Sequence, residues 1–211
     1  MYRAALRVEC AGIQLVGSLC CSFQMAGSSR WRLDGCTALV TGGTKGIGKA
    51  AVAELCGLGA RVFFCARNQA EIDACLAEWT AQGFEVGACA CDVAVASQRA
   101  ALLAAASTFF GGKLSFLFAN AGSNIRRPTA EVSEADYRTV MALNLESTYF
   151  LAKECYPLLL ESVKTGGTAS IVFNSSVAGV TSIQSGSICA PALTSPPLHM
   201  LTCSSLPLQM R

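Results

Sequence analysis

Short runs of apolar residues alternate along the chain, from Gly35 onward, with longer segments in which apolar residues recur every three or four positions. The short runs are typical of buried β-strands, and the longer segments are typical of amphipathic helices. Regular alternation of the two predicts a parallel sheet with helices packed on both faces. The pattern therefore indicates an α/β fold built on a doubly wound sheet.

Five strands and the helices between them follow from this alternation. The strands are expected at 37–40, 61–65, 85–91, 114–118 and 170–174, and the helices at 46–58, 69–82, 97–110 and from Ser133 onward. Ser133 followed by Asp136 is typical of a capped helix start. Pro157 is expected to kink or break that last helix, because proline cannot donate the backbone hydrogen bond of a helix interior.

The alternation ends before residue 185. Residues 185–211 hold four of the six prolines and contain no lysine and no acidic residue. Because these prolines preclude a long regular helix, we expect residues 185–211 to form a divergent, irregular tail. Residues 31–184 are expected to form one folded domain. Residues 1–30 are expected to be a poorly ordered extension, with a weak targeting segment as the alternative.

Composition narrows the classes of function. Apolar residues make up 52% of the chain, charged residues 14%, and the net charge is +2, so neither a disordered chain nor a nucleic-acid partner is indicated. The apolar stretch 11–23 is shorter than the roughly 20 residues that span a bilayer, and no membrane partner is expected. The twelve cysteines lack a Cys-x-x-Cys pair, which predicts reduced thiols, no metal site and a cytoplasmic location. Disulfides or a zinc site are the alternative.

A glycine-rich turn, Thr41-Gly42-Gly43-Thr44-Lys45-Gly46-Ile47-Gly48, joins the first strand to the first helix. Glycines let the backbone approach a pyrophosphate closely, and the helix N-terminus offers free N–H groups and the positive end of its dipole. This context predicts a dinucleotide-binding turn, and a glycine turn without a ligand is the alternative. The candidate cofactor-binding residues of the turn are Gly42, Thr44, Lys45, Gly46, Ile47 and Gly48.

Further motifs follow the turn in order, namely Cys91-Asp92-Val93, Asn120-Ala121-Gly122, Leu143-Asn144-Leu145 and the stretch from Ile171 to Ser176. With this set the chain resembles the short-chain dehydrogenase/reductase family, and specifically its plant tropinone reductase-like group. The resemblance covers about residues 31–188. It implies an incomplete Rossmann-type sheet of about five strands in the order 3-2-1-4-5. It also implies NADP(H)-dependent oxidoreduction of a small carbonyl or alcohol substrate.

The cofactor preference can be argued from the charge at the end of the second strand. An acidic residue there would favour NAD(H) by hydrogen bonding to the ribose hydroxyls. The strand ends instead in Ala66-Arg67-Asn68, where Arg67 is placed to hold a 2′-phosphate and Lys45 can add a second positive charge. NADP(H) is therefore the expected cofactor, and a solvated surface charge is the alternative role for Arg67.

The resemblance also implies roles for residues beyond the glycine turn. The additional candidate cofactor residues are Asp92 and Val93, implied to meet the adenine, and Asn120, Ala121 and Gly122, implied to line the ribose. A strand-end cap is the alternative role for Asp92. The candidate catalytic residues are Asn144, implied to hold a water relay, and Ser176, implied to polarise the substrate oxygen.

In the family, a Tyr-x-x-x-Lys pair completes the catalytic set. At the implied spacing this chain has Cys189 and Leu193, and no Tyr-x-x-x-Lys follows Ser176. We therefore expect weak or no activity and interpret the chain as a truncated or mis-spliced product. The alternatives are a non-catalytic NADP-binding or regulatory protein, and the product of an aberrant transcript without function.

The resemblance also bears on the oligomeric state of the protein. The resemblance implies that a helix following Ser176 would help to form a dimer, and this helix is expected to be lost here. A homo- or hetero-oligomer stays open as an alternative. The fifth strand is expected to become an edge of the sheet, which would invite pairing with another chain.

Overall fold

The computed structural model describes residues 31–176 and 201–203. Five parallel strands form its sheet in the order β3-β2-β1-β4-β5, followed by a sixth, antiparallel strand beside β5. The strands are β1 (Thr37–Thr41), β2 (Arg61–Ala66), β3 (Val86–Ala90), β4 (Phe116–Ala119), β5 (Ala169–Phe173) and β6 (Leu201–Cys203). The helices are α1 (Gly46–Gly57), α2 (Gln69–Ala81), α3 (Ala96–Phe110), α4 (Glu134–Met141) and α5 (Ser147–Lys164). The predicted Rossmann-type order of the first five strands is confirmed.

Both faces of the sheet are covered, because every residue of β1 is buried. Leu39 points into a core cluster that also contains Leu117 of β4 and Leu151 of α5. Val40, the next residue, points into the opposite cluster with Val52 of α1 and other apolar residues of α1 and α2. Alternate residues of a strand face opposite sides, so the continuous apolar run of β1 serves two cores at once.

The long helical segment after Ser133 has an interruption that differs from the expected one. Ser133 and Asp136 form the predicted capping box at the start of α4. Residues Ala142–Glu146 then form a π-helical turn between α4 and α5. Pro157 lies inside α5 without ending it. Because Pro157 and Lys153 are both exposed, water can reach the Lys153 carbonyl that would otherwise accept from residue 157.

The sequence pattern does not predict β6. Leu201–Cys203 pairs antiparallel with β5, with Ala169 opposite Cys203 and Ile171 opposite Leu201. In place of the exposed edge expected at β5, the structure thus has a short strand that covers it. Three residues are too few to show the alternation by which longer strands are recognised.

Other features of the described residues bear on the protein's class. None of the helices in the described ranges has the length and apolar character needed to cross a membrane. The seven cysteines between residues 31 and 176 are all free. Most of them lie in the interior, where an unpaired cysteine acts as a small apolar residue.

Candidate functional site

A cleft of about 1050 Å³ opens at the carboxyl ends of the central strands. It lies where β1 leads toward β2 on one side and β4 leads toward β5 on the other, which is where ligands bind in open α/β sheets. Eleven of the twelve candidate cofactor residues line it: Gly42, Thr44, Lys45, Gly46, Ile47, Arg67, Asp92, Val93, Asn120, Ala121 and Gly122. One cleft therefore brings together residues that the sequence separates by up to 80 positions.

The twelfth candidate, Gly48, lies beneath the glycine turn. A Cβ atom added to Gly48 would overlap the carbonyl oxygen of Gly42 and lie 2.6 Å from Asn120 Nδ2. Only glycine fits there, because the turn and the start of α1 approach each other too closely for any side chain. Gly46, by contrast, has φ +53° and nothing within 4 Å of an added Cβ, so its backbone faces open space in the cleft.

The N-terminus of α1 is left uncapped by side chains. Lys45, the N-cap residue, makes no side-chain capping hydrogen bond, and the first turn holds no acidic residue. In α2 the Asn68 side chain accepts hydrogen bonds from Ala70 N and Glu71 N. The first N–H groups of a helix need external partners, so the start of α1 can donate to an anion in the cleft.

These observations test whether a dinucleotide fits. The closely packed glycines remove side chains from the place where a pyrophosphate would approach the backbone, and the uncapped start of α1 faces that place. The cleft volume of about 1050 Å³ is slightly above the range of about 300–1,000 Å³ typical of ligand sites, as suits a ligand as large as a dinucleotide. The residues present therefore fit the group.

Asn120 joins three strand ends at the floor of the cleft. Its amide nitrogen donates to the Thr41 carbonyl oxygen at 2.9 Å, and its amide oxygen accepts from Asn174 Nδ2 at 2.9 Å. The side chain is therefore fixed in one orientation between the ends of β1, β4 and β5. Gly122 lies close by, with an added Cβ 3.3 Å from Asn144 Oδ1.

The catalytic candidate Asn144 lies in the π-helical turn. Its amide oxygen accepts from Ser123 N at 2.9 Å, and its amide nitrogen donates to the Ser123 carbonyl oxygen at 2.8 Å. Single π-helical turns occur often at functional sites, and here the turn places Asn144 against the loop after β4. The other candidate, Ser176, is exposed and lies three residues beyond β5, at the same edge of the sheet.

Asp92 and Val93 lie on the loop between β3 and α3. The Asp92 carboxylate accepts from Ala94 N at 3.0 Å, so it caps its own turn as well as lining the cleft. Arg99, which the sequence analysis did not single out, is buried and donates to the Val93 carbonyl oxygen at 2.8 Å. It also forms an ion pair with Glu154 at 3.3 Å. A single arginine on an apolar helix gave no sequence signal for this positioning role.

The charged end of the cleft contains a residue that the sequence analysis missed. Arg67 and Lys45 line it as expected, but so does Glu71 of α2. Glu71 Oε1 accepts from Lys45 Nζ at 2.7 Å. This hydrogen bond from Lys45 is the main reason that the pKa of Glu71 lies below its usual value. The spacing of Asn68 and Glu71 as N-cap and third helical residue was the available signal.

Two buried thiols lie deeper in the same cleft. Cys65 and Cys91 both line it, and Cys65 is almost fully inaccessible to solvent. The hydrogen bond with Cys91, followed by burial, raises the pKa of the Cys65 thiol well above its usual value. Cys65 is therefore a neutral thiol at physiological pH, and it provides an apolar wall rather than a charge.

Comparison with curated proteins agrees with this geometry. A tropinone reductase homolog of Arabidopsis thaliana is 49% identical over 164 residues, which cover 78% of this chain and 61% of the relative. A homolog of Datura stramonium is 46% identical over 164 residues, covering 78% and 60%. A homolog of A. thaliana described as chloroplastic is 47% identical over 167 residues, covering 79% and 51%. The chain thus spans between 51% and 61% of the length of these relatives.

Solved structures share the fold. A putative short-chain alcohol dehydrogenase of Sinorhizobium meliloti has a TM-score of 0.71 at 28% identity, with 78% of this chain and 63% of that chain covered. A short-chain dehydrogenase/reductase of Burkholderia phymatum, solved in complex with NAD, has a TM-score of 0.71 at 28% identity, with 76% and 56% covered. The sequence pattern described as short chain dehydrogenase matches residues 36–190. With its strand order, its glycine turn and these relatives, the chain belongs to the short-chain dehydrogenase family.

Proposed function

We propose that the cleft binds NADP(H), and that the reaction of this protein is the oxidoreduction of a small carbonyl or alcohol substrate. The observation that carries the proposal is the glycine turn, in which the backbone of Gly46 faces open space beside an uncapped helix start. When bound, the dinucleotide would supply the hydride chemistry. The chain's own residues would bind it, orient it and position the substrate oxygen.

The binding roles follow the cleft from one end to the other. The N–H groups at the start of α1 would hold the pyrophosphate, and Arg67 would meet a 2′-phosphate as a planar, permanently charged donor. Asp92 and Val93 would border the adenine. Asn120 to Gly122 would line the ribose, where the fixed orientation of Asn120 supports a rigid floor.

Ser176 would donate a hydrogen bond to the substrate oxygen, and Asn144 would hold the adjacent loop through Ser123. The chain lacks the usual proton donor for this reaction. The sequence holds no tyrosine after Tyr156 and no lysine after Lys164. An unperturbed cysteine, with a pKa of about 8.5, is a poor replacement for a tuned tyrosine. We therefore propose that this chain turns over slowly.

The missing pair favours a second candidate function, which is NADP(H) binding without turnover. Residues 177–211 contain no Tyr-x-x-x-Lys, so a chain with an intact cleft would bind the dinucleotide and release it unchanged. Such a protein could regulate a full-length relative by pairing with it or by competing with it for NADP(H). The free cysteines fit a reducing compartment, and we propose the cytosol as its location.

Two measurements separate these possibilities. The dissociation constant of NADPH would be measured by fluorescence titration for the wild type and for Arg67→Ala. We expect Arg67→Ala to weaken NADPH binding by about tenfold or more and to leave NADH binding unchanged. Arg138→Ala is the control, because Arg138 is an exposed cation on α4 that pairs with its helix neighbour Glu134 and does not line the cleft. Absence of NADPH binding in the wild type would reject the proposal.

Turnover would be followed as NADPH oxidation with a panel of small ketones. Slow turnover that is lost in Ser176→Ala, with NADPH affinity unchanged, supports the oxidoreductase assignment. Tight NADPH binding with no turnover on any ketone supports the second candidate. Turnover at the rates usual for enzymes, with a kcat of about 1–1,000 s⁻¹, would contradict the expected cost of the missing pair.

A further inference from the structure

One carboxylate lies at the end of the cleft where the sequence predicts only positive charge. Glu71 Oε1 accepts from Lys45 Nζ at 2.7 Å and from Asn68 Nδ2 at 3.0 Å. Its other oxygen accepts from Thr44 Oγ1 at 3.1 Å. Glu71 therefore ties the glycine turn to the start of α2 by hydrogen bonds to three side chains.

The two members of the ion pair differ in exposure and in the number of their hydrogen-bond partners. The Glu71 side chain is 30% exposed and held by three donors, whereas the Lys45 side chain is 76% exposed. The carboxylate is thus the fixed partner, and the lysine is the partner that can turn toward a ligand. Arg67, on the same rim, forms no ion pair with any of residues 31–176.

We propose that Glu71 is a specificity-determining residue that opposes binding of a 2′-phosphate by engaging Lys45 and by placing a negative charge beside the phosphate position. This inference rests on the proposed NADP(H) function and concerns how strongly the cleft prefers NADP(H) to NAD(H). A phosphate that takes up the Lys45 ammonium must displace it from Glu71 and then lie beside the carboxylate. A ribose hydroxyl at the same place carries no charge and meets neither cost.

The charge of Glu71 persists under physiological conditions, because its hydrogen bonds favour the ionised form. Arg67 alone then provides unopposed attraction for the phosphate. The cleft consequently prefers NADP(H) to NAD(H) less strongly than the presence of both Lys45 and Arg67 suggests. Removing the charge of Glu71, while keeping its shape, makes both cations available.

The chain offers a matched control for this change. Glu78 lies two turns further along α2 and forms a 2.7 Å ion pair with Lys49 of α1. This pair has the same length as the Lys45–Glu71 pair and also joins α2 to the segment that starts at Lys45, but neither of its residues lines the cleft. Glu78→Gln therefore removes the same charge and the same kind of pair without touching the phosphate position.

The test uses two soluble fragments of the dinucleotides, 2′,5′-ADP and 5′-AMP, which differ only in the 2′-phosphate. Their dissociation constants would be measured by calorimetry at low salt for the wild-type chain, Glu71→Gln and Glu78→Gln. We expect Glu71→Gln to tighten binding of 2′,5′-ADP by about tenfold and to change binding of 5′-AMP less than about twofold. Glu78→Gln should change neither constant by more than about twofold.

Three results would overturn the inference while leaving the proposed function standing. The first is an unchanged preference for 2′,5′-ADP in Glu71→Gln. The second is an equal gain in Glu78→Gln, which would indicate a general charge effect. The third is weaker binding of 5′-AMP in Glu71→Gln, which would mean that Glu71 accepts from the ribose hydroxyls. Failure of the wild type to bind either fragment would instead reject the proposed function, and the inference with it.

Discussion

Asn120 donates two hydrogen bonds to Thr41, one from its backbone N–H to the Thr41 hydroxyl oxygen at 2.9 Å and one from its side-chain amide to the Thr41 carbonyl oxygen at 2.9 Å. The same hydroxyl also accepts from Ala121 N at 2.9 Å. Thr41 ends β1, and Asn120 follows β4. These two hydrogen bonds join the ends of β1 and β4 at the place where the cleft begins.

Thr41→Val should therefore destabilise the protein. Valine keeps the shape of threonine but leaves the N–H groups of Asn120 and Ala121 without their acceptor, at a cost of about 2 kcal/mol in the free energy of unfolding. Urea unfolding followed by circular dichroism measures the change. Thr139→Val is the control, because its hydroxyl lies on the exposed surface of α4 and should cost less than about 0.5 kcal/mol. Equal losses in both variants would contradict the role of Thr41.

Gly48→Ala should disrupt the glycine turn, whereas Gly57→Ala in the same helix should not. A Cβ at Gly48 would overlap the Gly42 carbonyl, but a Cβ at Gly57 meets nothing within 4 Å. We expect Gly48→Ala to abolish NADPH binding and to lower the thermal midpoint. Gly57→Ala should keep binding and gain about 0.5–1 kcal/mol of stability from its lower backbone entropy. Retention of binding by Gly48→Ala would show that the turn tolerates a wider spacing.

Asn144→Ala should loosen the loop after β4. The substitution removes both hydrogen bonds between the Asn144 amide and the Ser123 backbone, so the Ser123 amide should exchange with solvent about tenfold faster. Hydrogen-exchange mass spectrometry of the peptide around Ser123 measures this. Thr148→Val serves as control, because it removes a hydrogen bond to the Asn144 backbone carbonyl but leaves the Asn144 amide in place, and it should leave that peptide unchanged.

Stability should fall in alkaline solution because of buried thiols. Burial raises the pKa of the Cys155 thiol from its ordinary value to about 12. Well below the ordinary pKa of a cysteine, this thiol is protonated in both the folded and the unfolded state, so the free energy of unfolding does not depend on its titration. Between about pH 9 and 12 it ionises only when unfolded, so the free energy of unfolding falls by up to about 1.4 kcal/mol per pH unit.

Cys155→Ala should reduce this alkaline slope, as measured by urea unfolding at pH 8, 9 and 10. Ser162→Ala, a buried and non-ionising change in the same helix, should lower stability equally at all three values. If Cys155→Ala and the wild type have the same slope, the thiol titrates in the folded state as it does when unfolded.

Much of the fold was predictable from the sequence because the strands are short, mostly apolar runs. Such runs are expected when both faces of a parallel strand are buried, as Leu39 and Val40 of β1 illustrate. The glycine turn was predictable for a related reason, since Gly48 occupies a position that no side chain can share. Patterns that come from tight local sterics and from burial are visible in a single sequence.

Features that depend on contacts between distant side chains were not visible. The sequence analysis found no carboxylate at the end of β2, because Glu71 reaches the cleft from the first turn of α2. The π-helical turn at Ala142–Glu146 left no mark on the apolar periodicity. Pro157 predicted a kink or break, but its exposed position lets α5 continue through it.

The bond between Thr41 and Asn120 joins residues 79 positions apart in the chain, which has a consequence for synthesis in the cell. At translation rates of about 5–20 residues per second, the glycine turn leaves the ribosome roughly 4 to 16 seconds before its partner on β4. During that interval Thr41 lacks the hydrogen bonds that Asn120 donates to it in the folded protein. A dinucleotide bound at this turn, as proposed, would therefore stabilise only a chain already folded through β4, and not the glycine turn of the nascent chain.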